Sequence, residues 1–290
     1  MIRDSMFGMR AADVERWSDL VVVVRGLNPG PFTGPGTNTY LVGRSSQPVL
    51  IDTGSGVEGY PPLLAGALRD EFGAERPREI LLTHGHRDHL GGVAQLAERF
   101  GACPVSKLPW PEKDAPAGAT LQKLEDGSRI EVDGVHLRAV HCPGHAPDHL
   151  CFYLEEERAL FTGDVVLGAG TTIIPLEGGD LRAYMASLER ILELDLARIY
   201  PGHGPRIDTP AERVREYIEH RMERERQILR ALRGGATTVQ EVVERCYVDT
   251  PRALHPAAAQ SVLSHLRKLE AERRAQQRVD AAGEAHWSLR

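Results

Sequence analysis

The 290-residue sequence predicts an α/β protein of mixed sheets with a separate helical module at its C-terminal end. Three observations carry this reading. Hairpins alternate with βα units, so antiparallel and parallel pairs must share sheets. Several apolar strands run into short glycine-containing segments that bear histidine or aspartate. After His203 the chain turns to long, charged helical patterns.

In chain order, strand-like runs come first at 20–27, 38–43 and 48–54, with the Gly/Pro-rich stretch NPGPFTGPGT after the first of them. A helical pattern covers 58–73, followed by the strand EILLTH at 79–84 and a helix from about Leu90 to Phe100. SRIEVD and VHLRAVHC read as strands, and HLCFYLEEERALFTGD as a hairpin turning at Glu155 to Arg158. A helix at about 180–194 leads to the strand ARIYPG. The boundary between two domains is placed at 208/209, giving a catalytic domain of residues 1–208 and a C-terminal domain of residues 209–290. The latter opens with a helix at about 209–232 that stops at Gly234-Gly235. TTVQEVVERCY and AAAQSVLSHLRKLEAERR follow as helices, then QQRVD and HWSLR as a two-stranded wing. That outline is winged-helix-like, serving nucleic-acid binding or, equally, oligomerisation or a lid.

Bulk properties narrow the class. The first twenty residues are charged throughout and lack an apolar core, so neither a secretory signal nor a membrane anchor is expected. The four cysteines have no framework spacing, which favours reduced thiols and a cytoplasmic, or organellar-matrix, setting. Net charge is −6, divided unevenly: from Ala211 onward there are 15 Lys+Arg against 12 Asp+Glu, leaving the preceding region at −9. A mildly basic tail is compatible with RNA and does not establish it.

The chemistry concentrates in Thr83-His84-Gly85-His86-Arg87-Asp88-His89-Leu90. His84 and His86 alternate by two, so an extended segment points both rings one way. Asp88 and His89 fall where the chain turns into the next helix and present another face. One segment thus offers ligands to two metal ions. Single ligand-type residues follow other strands: His145 in CPGH, Asp164 in TGD and His203 in PGHG. Imidazole and carboxylate donors suit zinc and, with more oxygen, iron or manganese.

With these residues the sequence resembles the metallo-β-lactamase superfamily over about 20–205. NPGPFTGPGTNTYLVG, LIDTG, THGHRDHLGG, PGHAPDHL, FTGD, GAGTT and YPGHGP together look like the β-lactamase-like protein 2 endoribonuclease family. Similarity also extends to glyoxalase II and to the thioesterases of polyketide pathways. The resemblance implies an αβ/βα sandwich and two zinc ions that activate water. It puts His84, His86 and His145 on the first ion and Asp88, His89 and His203 on the second, with Asp164 bridging. Asp88 is further expected to orient the attacking water as a catalytic residue.

His149 is a second catalytic candidate, as a donor to the leaving group; otherwise it is a core histidine. Asp52 would steady a histidine ligand or simply turn the chain. Asn38, Thr171 and Thr172 are expected near the substrate. His136, His141 and the tail histidines are expected to be structural, and Cys142 to be packing. The implied function is a single-strand-directed endoribonuclease, with an acyl-thioester hydrolase as the alternative and β-lactams at most a side activity. The partner is then single-stranded RNA or a small thioester, without a membrane, and oligomers are allowed.

Overall fold

In a computed structural model, which describes residues 2–4, 10–114, 121–132 and 134–290, two mixed sheets face each other. A short hairpin of β1 (Ile2–Asp4) and β2 (Arg10–Ala12) precedes them. The first sheet runs in sequence order through β3 (Val14–Arg16), β4 (Val21–Arg25), β5 (Asn38–Val42), β6 (Val49–Ile51), β7 (Ile80–Leu81), β8 (Val105–Lys107) and β9 (Leu121–Lys123). It is antiparallel as far as β6 and parallel from there on. Its helical crossings are α1 (Tyr60–Phe72), α2 (Arg87–Leu90), α3 (Val93–Phe100) and α4 (Pro111–Asp114).

The second sheet contains β10 (Arg129–Val132), β11 (Val135–His141), β12 (Leu150–Leu154), β13 (Ala159–Gly163) and β14 (Arg198–Pro201), again in sequence order. Only β13 and β14 are parallel, because α5 (Leu181–Leu192) carries the chain back between them. Asp180 caps α5 by accepting from the backbone N–H groups of Arg182 and Ala183.

The run Val21–Val24 explains the layering. Val21 and Val23 point between the sheets with Tyr40, Phe152, Phe161 and Tyr200. Val22 and Val24 point outward under α1 and α3, with Leu64, Leu68 and Leu96. A strand covered on both faces reads as continuous apolar sequence rather than as alternation. On the far side, Leu160 and Ile199 pack beneath Tyr184 and Leu188 of α5. The molecule is therefore an αβ/βα sandwich, as expected.

The C-terminal region contains α6 (Pro210–Arg233), α7 (Val239–Cys246), α8 (His255–Ala271) and the wing β15 (Ala275–Val279) and β16 (Ala285–Leu289). Thr238 and Glu241 form a reciprocal cap on α7. A core of Ile228, Leu232, Val242, Val262, Leu266 and Trp287 makes this a winged-helix domain. The anticipated boundary at 208/209 falls just before α6, a helix that serves both cores. Val214 and Tyr217 pack against the second sheet, while Ile228 and Leu232 pack in the winged helix.

The sequence pattern did not reveal β8 and β9, three residues each, nor the hairpin and β3. Lys107 in β8 does not look like a core residue. It is fully buried, with its ammonium 2.6 Å from Asp114 and 2.8 Å from Asp148.

Candidate metal centre

Four chain segments meet at one end of the sandwich. The chain leaving β7 carries His84 and His86, and α2 presents Asp88 and His89 from its first turn. His145 follows β11, Asp164 follows β13 and His203 follows β14. Asn38 secures the last of these. Its amide donates to the carbonyls of Pro201 (2.8 Å) and Gly204 (2.9 Å), and its backbone N–H donates to that of Gly202 (2.7 Å).

The seven side chains fall into two sets, each with its donor atoms within 4.8 Å of one another: His84, His86 and His145, then Asp88, His89, Asp164 and His203. His86 Nδ1 is 3.0 Å from His84 Nε2 and 2.8 Å from His145 Nε2. His89 Nε2 lies 3.3 Å from one oxygen each of Asp88 and Asp164, and His203 Nε2 lies 3.2 Å from the same two. The other oxygen of Asp164 is 3.6 Å from His145 Nε2, so this carboxylate faces both sets.

Hydrogen bonds behind the rings decide which nitrogens face inward with a lone pair. His145 Nδ1 sits 2.7 Å from the carbonyl of Ile173, which can only accept, so Nδ1 carries the proton. His89 Nδ1 donates to Asp52 at 2.7 Å. Thr83 donates its backbone N–H (2.8 Å) and its hydroxyl (2.9 Å) to Asp52, leaving Thr83 Oγ1 to accept from His84 Nδ1 at 2.9 Å. In each case Nε2 is left free to bind a cation.

Metal ions fit this arrangement. His89 Nε2 and Asp164 Oδ1 are buried, and neither makes an aligned hydrogen bond. The charge pattern agrees. Burial holds the His84 imidazole well below its usual range, and burial with the neighbouring His145 takes His86 down to about 4. Burial disfavours charge on His203 too, but the carboxylates of Asp164 and Asp88 outweigh it and push that ring up to about 9. For His89, burial is likewise overcome, here by Asp88, Asp164 and Asp52. In one set burial thus disfavours charge on the imidazoles, and in the other two carboxylates draw the imidazoles towards it, positions that a divalent cation takes in exchange for protons.

A cavity of about 530 Å³ opens over both sets. Its walls include Pro31 and Phe32 from one loop and Leu167, Ala169, Thr171, Thr172 and Ile173 from another. Thr171 and Thr172 therefore line it as expected, whereas Asn38 lies behind the His203 loop. Asp52 both turns the chain, at φ 61°, and steadies His89.

The expectation for His149 as a proton donor to a leaving group needs correcting. His149 is fully buried behind the site, its ring stacked on His84 at 4.7 Å between centroids. Its Nε2 accepts the backbone N–H of Asp164 at 3.1 Å and so positions that residue. Thr83, Lys107 and Asp148 were not anticipated. For Asp148 a signal existed, since it stands between His145 and His149 in PGHAPDH.

Gly163 lies between these supports at φ +45°, and a Cβ there would come within 2.7 Å of His149 Nε2 and 2.9 Å of Thr83 Oγ1. A Gly163→Ala variant should lose about 2–5 kcal/mol of stability, from left-handed backbone and overpacking together. Denaturant unfolding of the metal-free protein measures this, and a change under about 0.5 kcal/mol, the scale of an ordinary surface substitution, would contradict it.

A sandwich that gathers imidazoles and carboxylates beneath a cavity defines a metal-dependent hydrolase. Residues 32–203 match the metallo-beta-lactamase superfamily, and residues 238–287 match the beta-lactamase associated winged helix domain. The chain belongs to the metallo-beta-lactamase superfamily. It is 41% identical over 262 residues to "Beta-lactamase-like protein 2 homolog" of Caenorhabditis elegans, covering 88% of this chain and 86% of that one. It is 39% identical over 252 residues to "Atrochrysone carboxyl ACP thioesterase dmxR1" of Cryptosporiopsis sp., covering 82% and 75%. Among solved structures, TTHA1623 in a di-iron-bound form is 33% identical with a TM-score of 0.51, covering 63% of this chain and 93% of that one. Among the described residues no helix is long and apolar enough to cross a membrane.

Proposed function

We propose that the protein hydrolyses acyl thioesters at a dinuclear zinc site. The observation that carries this is the cavity wall: Pro31, Phe32, Leu167, Ala169 and Ile173 are apolar, and no lysine or arginine is among its described lining residues. Such a wall favours a neutral acyl group and adds no cationic side chain for the flanking phosphates of a nucleic acid. A relative whose printed name is a thioesterase supports the same class.

Two zinc ions held by the seven groups would supply Lewis acidity and a water acidic enough to attack near neutral pH. The protein's own contribution is then specific. Asp88 lines the cavity, where its carboxylate orients the attacking water and takes its proton. Asp52 and Thr83 fix the ring orientations of His89 and His84. Asn38 and His149 hold the loops that carry His203 and Asp164. Water oxygen adds to the acyl carbon, the C–S bond breaks, and the departing thiolate takes up the proton that Asp88 received from the water.

Endoribonuclease activity on single-stranded RNA is the second reading. It draws support from Phe32, 70% exposed at the mouth and able to stack on a base, and from the winged helix. Assaying the zinc-loaded protein against thioesters of graded chain length, single-stranded RNA and single-stranded DNA separates the two. Thioester turnover with little cleavage of either nucleic acid is the expected result. RNA cleavage without thioester turnover overturns the acyl reading.

A further inference from the structure

The loop 167–176 forms one side of the cavity wall, and its polar backbone is gripped from the C-terminal helices. Arg213 of α6 donates to the carbonyls of Leu167 (3.3 Å) and Gly170 (2.6 Å). Tyr217 donates its hydroxyl to Gly170 (3.0 Å) and accepts the N–H of Leu167 (2.9 Å). Arg221 donates to the carbonyl of Thr172 at 2.5 Å. These three residues are four apart, so they form one row along the helix. From α8, Ser264 donates to Ile174 (3.2 Å) and Arg267 to Leu176 (3.4 Å).

The same loop reaches the metal centre from its other side. Ile173 supplies the carbonyl that fixes His145, and Thr172 Oγ1 stands 3.3 Å from the same ring nitrogen. Two adjacent residues thus connect the C-terminal helices to a candidate ligand.

Arg221 is the costly member of the row. It is only 6% exposed, and among the described residues no carboxylate lies within ion-pair distance of it. It donates to the Thr172 carbonyl and lies 5.5 Å from the Tyr184 ring centroid, and it borders a cavity that Glu189, Glu225 and Glu272 also line. A buried cation without a counter-ion opposes folding, and a methionine of similar length would fill the space more cheaply. The second helix of a helix-turn-helix, here α8 after α7, ordinarily contacts nucleic acid. Here Ser264 and Arg267 of that helix are engaged with the catalytic loop instead.

We infer that Arg221 is a positioning residue for the active site: through Thr172 and Ile173 it sets the acyl-facing wall and the orientation of His145. What this says of the wall's substrate rests on the acyl reading; what it says of the loop and His145 does not.

The test uses the full chain with Arg221→Met, Arg221→Lys and Ser264→Ala. Hydrogen exchange of peptides spanning 167–176 should quicken about tenfold in Arg221→Met while peptides from the β4–β6 strands stay unchanged. Zinc affinity, read by competition with a chromogenic chelator, should fall about tenfold, the low end for lost support of a metal ligand. At saturating zinc, KM for a long-chain thioester should rise more than KM for an acetyl thioester. Arg221→Lys keeps one donor and should recover most of each change, and Ser264→Ala should move loop exchange the same way but less. A folded Arg221→Met with wild-type loop exchange and zinc affinity overturns the inference. Should Arg221→Met fail to fold, Arg221→Gln, which removes the charge and shortens the side chain, takes its place: wild-type loop exchange and zinc affinity there overturn the inference, and a fall in both supports it. If loop exchange and zinc affinity shift while no form cleaves any thioester, the acyl reading fails and the positioning role stands.

Discussion

An Asp164→Ala variant should lose at least about 10³-fold in kcat/KM, about 4 kcal/mol of barrier, and should retain less metal per chain than the parent. The reason is positional. Among the described residues Asp164 is the one carboxylate that approaches both sets, at 3.3 Å and 3.2 Å from His89 and His203 and 3.6 Å from His145. On the proposed dinuclear site, removing it would take a ligand from each ion and the negative charge that would hold two cations close together. Folding should survive, because His149 grips the backbone N–H at 164 and not the carboxylate. Elemental analysis of dialysed protein and steady-state kinetics check the two effects. A variant that keeps full metal and near-normal turnover removes Asp164 from the bridging position.

The next largest effect is expected at Asp52, which touches no substrate. Its carboxylate accepts three hydrogen bonds, two from Thr83 and one from His89, while its own backbone sits at φ 61°. Asparagine tolerates that backbone region, so Asp52→Asn isolates the role of the charge. Its amide can still accept from Thr83 but would turn an N–H towards His89 Nδ1. The imidazole must then accept there and carry its proton on Nε2, the nitrogen needed for metal. A loss of about 10- to 100-fold in zinc affinity is the expected result. Asp52→Ala should in addition destabilise the metal-free fold, by about 1–2 kcal/mol for the strained backbone and about 1–3 kcal/mol for the orphaned Thr83 N–H. Competition titration and denaturant melts separate the two losses. Unaltered zinc affinity in Asp52→Asn would show that the ring orientation of His89 is secured elsewhere.

What could be read from the sequence was what neighbours in the chain determine. His84 and His86 alternate on extended backbone and Asp88-His89 open a helix turn, so one ten-residue segment displays half of the chemistry. Asp52 was legible as a strand-end carboxylate. His149 was legible as a residue of interest but not in its task, because only packing shows that it lies under His84 and away from the cavity. β8 escaped notice because three residues ending in a lysine carry no apolar pattern. That lysine is tolerated inside through the Leu108 carbonyl and through Asp114 and Asp148, 7 and 41 positions downstream. The grip of Arg221 on Thr172 spans 49 positions, and nothing local to an arginine in a charged helix distinguishes it from its solvated neighbours.

The unbroken α6 has a mechanical consequence. Its 24 residues make a rod about 36 Å long at 1.5 Å per residue. One half is seated on the second sheet and the other in the winged helix, so no joint lies between them. A flap needs a pivot, and this architecture supplies a fixed strut. The cavity is thus walled on one side by a loop held from a C-terminal region that one continuous helix ties to the second sheet, with the exposed Phe32 among its lining residues.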